Sequence, residues 1–273
     1  MRIGGFIFDS WQSPRQWAEN ALKMGYSAVY FPLDATASIK EIDQYTETAA
    51  EHDLLIAEIG VWNNTLDSDR RKRRIAVDRA VQQLELAEYT GARCCVNIAG
   101  SRGSQWDGPH KDNLTQETFD MVVNTTREII DRVHPKRTFY TLEPMPWMFP
   151  NSAESYQQLL KAVDRPAFAV HMDPVNIISS PEKFYQNGAV ISGWFDLLGP
   201  YIKSCHAKDI FLNNKLTVHL DECCPGSGEL DYRTLLSRLQ LLEPDTCLML
   251  EHMDRKEGYI AGMNYLRSVM AAI

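Results

Sequence analysis

Four side chains that could bind a metal ion recur at regular intervals in the second half of the 273-residue chain. They are Glu143, Asp173, His206 and Glu251, and the intervals between them are 30, 33 and 45 residues. The first two intervals match one β-strand with its following helix, and the third leaves room for an inserted loop. We therefore expect one of these side chains at the end of each of four successive strands.

The chemistry of this set is that of a site for one divalent cation. Burying several carboxylates close together costs free energy unless a positive charge neutralises them. Three carboxylates and one imidazole, without a thiolate, form a hard ligand set. The set favours Mn²⁺ over a structural zinc site, with Mg²⁺, Co²⁺ or Zn²⁺ as alternatives. One glutamate at a strand end is usually a surface residue, but four ligands on four successive strands predict a metal site.

Eight apolar, β-branched runs predict the strands that position these ligands. The runs cover residues 2–8, 27–33, 54–62, 93–99, 138–145, 168–174, 201–210 and 246–253. Segments with helical periodicity alternate with them, which indicates parallel strands. Eight such units predict a single α/β domain over residues 1–273, a (β/α)₈ TIM barrel with its chemistry at the carboxyl ends of the strands. An open, doubly wound sheet is the alternative, but no glycine-rich turn follows the first strand.

Strand alternation extends the candidate site by two residues. Lys208 shares the inward face of His206 and could balance the carboxylates, bind a substrate oxygen or donate a proton. The alternative is an ion pair with Asp209 or with a neighbouring acid. His171 is expected one layer below Asp173 and is a second candidate proton donor.

The same alternation applies at the last predicted strand. If Glu251 points into the barrel, its neighbour His252 is expected to point away from it.

Three tryptophans follow the third, fourth and fifth predicted strands. They are Trp62, Trp106 and Trp147. A sugar can stack its apolar face on such a ring, although plain packing is an equally frequent role for tryptophan at a barrel mouth. We expect these rings to bind substrate.

Two further candidates lie in long loops. Arg102 belongs to the polar, glycine-rich segment 99–113, which could form a lid or bind a phosphate. Glu222 lies in the loop 211–230 after the seventh strand and is expected above the site.

Composition excludes several classes of partner. The net charge of −8 argues against a nucleic-acid binder, which needs clustered basic residues. No apolar stretch reaches the roughly 18 residues of a membrane span. Two of the cysteine pairs, Cys94-Cys95 and Cys223-Cys224, are adjacent and unsuited to disulfides, so reduced thiols and a cytoplasmic location are expected.

The motifs at the strand ends resemble those of the xylose isomerase-like TIM-barrel superfamily. The most specific are LEP with Glu143, HMDPVN with Asp173, CHAKD with His206, PGSGELDY at 225–232, and LEH with Glu251. The superfamily includes sugar isomerases and epimerases of the tagatose-epimerase and hydroxypyruvate-isomerase type, inosose dehydratases and endonuclease IV. The resemblance covers nearly the whole chain. Barrels of this kind are commonly dimeric, so the resemblance implies a homodimer as one state of assembly.

The resemblance implies an isomerase or epimerase for a ketose-like substrate. Glu143 and Glu251 would flank the substrate carbon and move its proton through a metal-stabilised enediolate. The alternative is a lyase or dehydratase that expels a β-leaving group from a keto-sugar, keto-glycoside or keto-inositol.

The chain departs from the epimerase pattern at two positions. Asn176 stands where a substrate-binding histidine is common, and Phe149 stands where a second glutamate is common. The orientation of the substrate therefore stays open.

Overall fold

Eight parallel strands close into a barrel in the computed structural model, which describes residues 1–273. The barrel strands are β1 (Arg2–Gly5), β2 (Ala28–Tyr30), β3 (Leu55–Gly60), β4 (Cys94–Asn97), β5 (Phe139–Leu142), β6 (Phe168–Met172), β7 (Ile202–Ala207) and β10 (Cys247–Leu250). Each pairs with its sequence neighbours, and β1 closes the circle against β10. Gly4 lets β1 approach β2, since a Cβ there would lie 2.1 Å from the Ala28 carbonyl oxygen. The predicted (β/α)₈ barrel is confirmed.

Helices surround the barrel and cover its outer face. They are α1 (Pro14–Lys23), α2 (Ile39–Glu51), α3 (Arg70–Thr90), α4 (Gln116–Val133), α5 (Ala153–Val163), α6 (Pro181–Tyr185), α7 (Asn187–Leu198), α8 (Tyr232–Leu239) and α9 (Lys256–Met270). Ser13, Thr115, Ser152 and Asp231 cap the helices that follow them by accepting a backbone N–H, as their residue types predict. The main hydrophobic core lies between these helices and the outward side chains of the strands.

A β-bulge interrupts the alternation of β3. Val29 pairs with Ile56, but the next residue of β2, Tyr30, pairs with Glu58, so β3 carries one extra residue at this point. Ala57 packs with the small interior cluster, while Ile56 and Ile59 belong to the core outside the barrel. Beyond the bulge, Glu58 therefore also faces the barrel interior.

An antiparallel hairpin follows the seventh barrel strand. It consists of β8 (Asp209–Asn213) and β9 (His219–Cys223), and Leu216 at its tip is fully exposed. The single strand predicted for 201–210 is therefore wrong in its last part, because β7 ends at Ala207 and the chain re-pairs from Asp209 onward. The predicted loop 211–230 contains most of this hairpin.

The Asp209 carboxylate fixes the chain that returns from the hairpin. It accepts backbone N–H groups of Gly226, Gly228 and Leu230 at 2.8, 3.2 and 2.9 Å, and that of Ile210 at 2.8 Å. Asp209 is buried, and it turns away from Lys208. Lys208 therefore does not pair with Asp209, and its ion pairs are with other acids, among them Asp173 and Glu251.

Candidate metal centre

The four predicted ligand side chains meet at the carboxyl-terminal mouth of the barrel. One ligand atom from each lies within 4.8 Å of those of the others. Glu143, Asp173 and Glu251 directly follow β5, β6 and β10, and His206 is the penultimate residue of β7. His206 Nδ1 lies 3.0 Å from Glu143 Oε1 and 3.0 Å from Glu251 Oε2. The structure thus brings together the residues that the strand ends predicted.

Lys208 lies inside this cluster as its one lysine. Its side chain is 1% exposed, and its Nζ lies 2.8 Å from Asp173 Oδ2 and 2.5 Å from Glu251 Oε1. Burial alone would lower the pKa of Lys208, but these carboxylates outweigh it and raise that pKa well above its ordinary value. Lys208 is therefore charged and balances part of the negative charge.

The two glutamates of the cluster differ in their electrostatic surroundings. Burial raises the pKa of Glu143 to about 7, although His206 opposes the shift. Burial acts the same way on Glu251, but His206 and Lys208 outweigh it and hold the pKa of Glu251 well below its usual range. Neighbouring carboxyl groups with separated pKa values are a frequent arrangement in sites that move protons.

The donor atoms fit a hard divalent cation. Asp173 Oδ2 is buried and accepts no hydrogen bond, because Lys208 Nζ is near it but not aligned for one. Its partner oxygen Oδ1 accepts the N–H groups of Val175 and Asn176, which turns Oδ2 towards the site. An oxygen-rich set with one imidazole, in which a buried carboxylate oxygen accepts no hydrogen bond, is suited to such an ion. Glu143, Asp173, His206 and Glu251 would hold it.

Glu58 is a further member of the cluster that sequence reasoning missed. Its side chain is 1% exposed, and its Oε2 lies 3.2 Å from His206 Nε2. The available signal was a lone carboxylate inside the apolar run 54–62, which is out of place in a barrel strand unless it serves a polar site.

His171 lies beneath the cluster and not in the cavity. It is fully buried, its ring centroid is 4.1 Å from that of His206, and its Nδ1 contacts Ser204 Oγ. Burial lowers the pKa of His171 to about 4, so the ring is neutral. Its position gives no support to the prediction that His171 donates a proton to substrate.

His252 and Glu222 form a pair at the rim. Glu222 lies on β9, with Oε2 2.7 Å from His252 Nδ1 and Oε1 3.2 Å from Lys208 Nζ. The expectation that His252 points away from the site is wrong. Strand β10 ends at Leu250, and His252 has a left-handed φ of 57°, so alternation no longer applies. Glu222 lies above the site, as predicted.

A cavity of about 1410 Å³ opens above the cluster. Trp62, Trp106 and Trp147 all line it, and each is about two-fifths exposed, at 42%, 38% and 38%. The Trp62 ring lies 6.3 Å from the His206 ring, and Trp147 Nε1 donates to the Asp107 carbonyl oxygen at 2.7 Å. The three indoles therefore offer uncovered surface to a bound molecule.

The two remaining substrate candidates differ in position. Asn176 lines the cavity, and its Nδ2 donates to Glu143 Oε1 at 3.2 Å. Arg102 lies outside the lining, where its guanidinium contacts Glu117 and Thr118 of α4. This position gives no support to a substrate contact for Arg102.

The fold and the site together are those of a (β/α)₈ barrel with a cluster of acidic side chains at its carboxyl-terminal mouth. A family model described as xylose isomerase-like TIM barrel matches residues 18–269. The chain therefore belongs to the xylose isomerase-like TIM-barrel family, as its strand-end motifs predicted. No curated protein matches its sequence. None of its helices is long and apolar enough to cross a lipid bilayer.

Solved structures with the same fold have several activities. The 3-keto-D-glucoside 4-epimerase YcjR from E. coli is 17% identical, with a TM-score of 0.70 over 98% of this chain and 99% of that one. The probable 3-DHS dehydratase AsbF from Bacillus anthracis is 17% identical, with a TM-score of 0.70 over 94% of each chain. Endonuclease IV from Thermus thermophilus is 14% identical, with a TM-score of 0.75 over 100% of each chain. These neighbours are enzymes, and at this identity they establish the fold alone.

Proposed function

We propose that this protein is a divalent-cation-dependent isomerase or epimerase that acts on a ketose-like sugar. The observation that carries the proposal is the convergence of Glu143, Asp173, His206 and Glu251, with ligand atoms within 4.8 Å, at the floor of a cavity lined by tryptophans. Among the fold's known activities, that of YcjR supports this chemistry.

Proton transfer is the step assigned to the chain's own carboxylates. Glu143 and Glu251 both lie 3.0 Å from His206 Nδ1 and face one small volume. One takes the proton from the carbon beside the substrate carbonyl. The other carboxylate or a water molecule then returns a proton. Return to the same carbon gives epimerisation, and return to the adjacent carbon gives isomerisation. When bound, the cation supplies Lewis acidity that polarises the carbonyl oxygen.

Substrate binding is assigned to the cavity wall. Trp62, Trp106 and Trp147 offer apolar ring faces to a sugar, and the Asn176 amide and the Glu222 carboxylate offer hydrogen bonds to hydroxyl groups. The Asn176 amide, hydrogen-bonded to Glu143, occupies the place of the histidine common in epimerases.

The charge of the lining favours an uncharged substrate. Its basic side chains are Arg79 and Lys208, whereas its acidic side chains are Asp34, Glu41, Glu58, Asp107, Glu143, Glu222 and Glu251. Arg79 lies 3.9 Å from Asp34, and Lys208 is already paired with carboxylates. A phosphate group or a nucleic-acid backbone would meet repulsion here, so a sugar phosphate and the nuclease chemistry of endonuclease IV are disfavoured.

A lyase or dehydratase is the second candidate. The observation that favours it is the His252–Glu222 pair at the rim, a proton-bearing group beyond the two glutamates. β-Elimination needs such an additional group, because the departing oxygen must gain a proton as its bond to carbon breaks. The activity of AsbF supports this candidate.

Two measurements test the proposal in sequence. Elemental mass spectrometry of protein purified without chelator is expected to find about one divalent cation per chain. Ketoses and keto-glycosides are then incubated with the loaded protein in deuterated buffer. Deuterium at carbon with an otherwise unchanged product indicates an isomerase or epimerase, and loss of water or of an aglycone indicates the lyase. No cation, with none taken up when Mn²⁺ is added, would overturn both.

A further inference from the structure

His206 lies between two sets of carboxylates. On one side, its Nδ1 lies 3.0 Å from both Glu143 and Glu251. On the other side, its Nε2 lies 3.2 Å from Glu58 Oε2. Glu58 lines the same cavity, but it contacts the ring at the opposite nitrogen from Glu143 and Glu251. The same imidazole thus contacts the proposed ligand set with one nitrogen and a different carboxylate with the other.

A neutral imidazole has one N–H donor and one free acceptor nitrogen. The Glu58 carboxylate can only accept, so it favours the tautomer that carries the proton on Nε2. That tautomer leaves the lone pair of Nδ1 facing Glu143, Asp173 and Glu251. The placement of Glu58 depends on the bulge in β3, which turns this residue into the barrel.

We propose that Glu58 is a positioning residue that orients His206 and makes Nδ1 its ligand atom. The inference rests on the proposed metal site and assigns to Glu58 a role that none of the four ligands has. A carboxylate behind a ligating histidine fixes the tautomer and the ring plane and strengthens the imidazole as a donor. Its loss is expected to weaken cation binding without removing any ligand.

The same geometry allows an alternative role for Glu58, as a ligand of a second cation. Glu58 Oε1 and His171 Nε2 are buried without hydrogen-bond partners, and Glu58, His171 and His206 offer three ligand atoms within 4.8 Å of one another. These three could hold a second, deeper cation. This group offers three donors against four in the set at the barrel mouth, so the positioning role is favoured, and the number of bound cations distinguishes the two.

The test compares two substitutions that keep the size of the side chain. Glu58→Gln retains an oxygen that accepts from Nε2–H but loses the charge, and Glu58→Met loses the acceptor. Cys94→Ala is the matched control, because Cys94 pairs with Glu58 across β3 and β4 in the same interior layer. Titration calorimetry of the full chain with Mn²⁺ and with Co²⁺ gives affinity and stoichiometry, and the Co²⁺ visible spectrum reports its coordination.

The expected result is graded. Glu58→Met weakens cation binding by about 10- to 100-fold and alters the Co²⁺ spectrum. Glu58→Gln recovers most of the affinity, Cys94→Ala binds like the natural protein, and all proteins bind one cation. Equal affinities for all variants would overturn the inference while leaving the proposed function intact. Two cations in the natural protein, of which Glu58→Met loses one, would make Glu58 a ligand instead.

A measurement on the natural protein covers the case in which Glu58→Met does not fold. Protein labelled with ¹⁵N-histidine and loaded with Zn²⁺ is examined by two-bond ¹H–¹⁵N NMR. The inference predicts His206 as the Nε2–H tautomer, with Nδ1 as the nitrogen shifted by the cation. The reverse assignment would refute it, and failure of the natural protein to bind any cation would refute the proposed function itself.

Discussion

Glu251 is the residue on which the proposed proton transfer depends most directly. It faces the cavity with His206 and Lys208 as its neighbours. Glu251→Gln keeps the shape of the side chain but removes the base, and general-base groups contribute about 10²- to 10⁴-fold to rate. We expect solvent exchange of the substrate proton to fall by that factor. Glu154→Gln, on the exposed face of α5, is the control. Unchanged exchange in Glu251→Gln would remove this residue from the mechanism.

Lys208 is expected to matter for stability as well as for the site. Lys208→Met removes the ammonium group that pairs with Asp173 and Glu251, and removal of one partner from a buried ion pair costs about 3–5 kcal/mol. Added Mn²⁺ should recover part of this loss, because the cation replaces the missing positive charge. Urea denaturation with and without Mn²⁺ measures both effects.

Lys203→Met is the matched control for this experiment. Lys203 pairs with Glu243, whose side chain is 56% exposed, and such pairs contribute about 1 kcal/mol or less. Its effect should not depend on Mn²⁺. An equal loss of stability in the two variants would contradict the buried role of Lys208.

The hairpin of β8 and β9 depends on Asp209 at its base. Asp209→Asn replaces one acceptor oxygen with an amide, so backbone N–H groups near Gly226 lose their partner. Each unsatisfied buried group costs about 1–3 kcal/mol, and we expect a total loss of about 2–4 kcal/mol in the free energy of unfolding. Because Glu222 lies on β9, KM should also rise.

Asp221→Asn supplies the comparison for this change. Asp221 is on the same hairpin but on its exposed side. Thermal unfolding and steady-state kinetics of the two variants separate the anchoring carboxylate from a general effect of lost charge. Similar results for both variants would contradict the anchoring role.

Strand ends were predictable from the sequence, whereas departures from regular alternation were not. Glu143, Asp173 and Glu251 are each the first residue after a barrel strand, which is where spacing predicts them. Glu58 escaped prediction because the bulge in β3 depends on its pairing with β2, a contact between residues far apart in sequence. The direction of the His252 side chain was mispredicted for a related reason, since the left-handed backbone conformation of this residue could not be inferred from the sequence.

For the whole molecule, a bound cation is expected to stabilise the folded chain. A ligand that binds only the folded state, present at a free concentration of about 100 times its Kd, stabilises that state by about 2.7 kcal/mol. For a chain of this size, that corresponds to a rise in Tm of roughly 5–10 °C. Calorimetry after chelation and again after Mn²⁺ is restored measures the shift, with KCl at equal ionic strength as control. No shift would count against a resident cation.

The closed barrel separates the proposed metal ligands from much of the cavity wall. Glu58, His206 and Asp173 lie within or directly after barrel strands, so the closed sheet positions them. Trp106, Trp147 and Glu222 lie beyond the barrel strands on connecting segments. Such segments can change without disturbing the strand ends, which explains how one scaffold serves different reactions.

The hairpin also offers a place to modify the protein. Leu216 at its tip is fully exposed, while Asp209 holds the chain at its base independently of the tip. Lengthening a loop costs only about 0.6 kcal/mol for each doubling of its length. A short affinity tag inserted beside Leu216 is therefore expected to leave the carboxylate and imidazole side chains at the barrel mouth in place, which gives a handle for immobilising the protein.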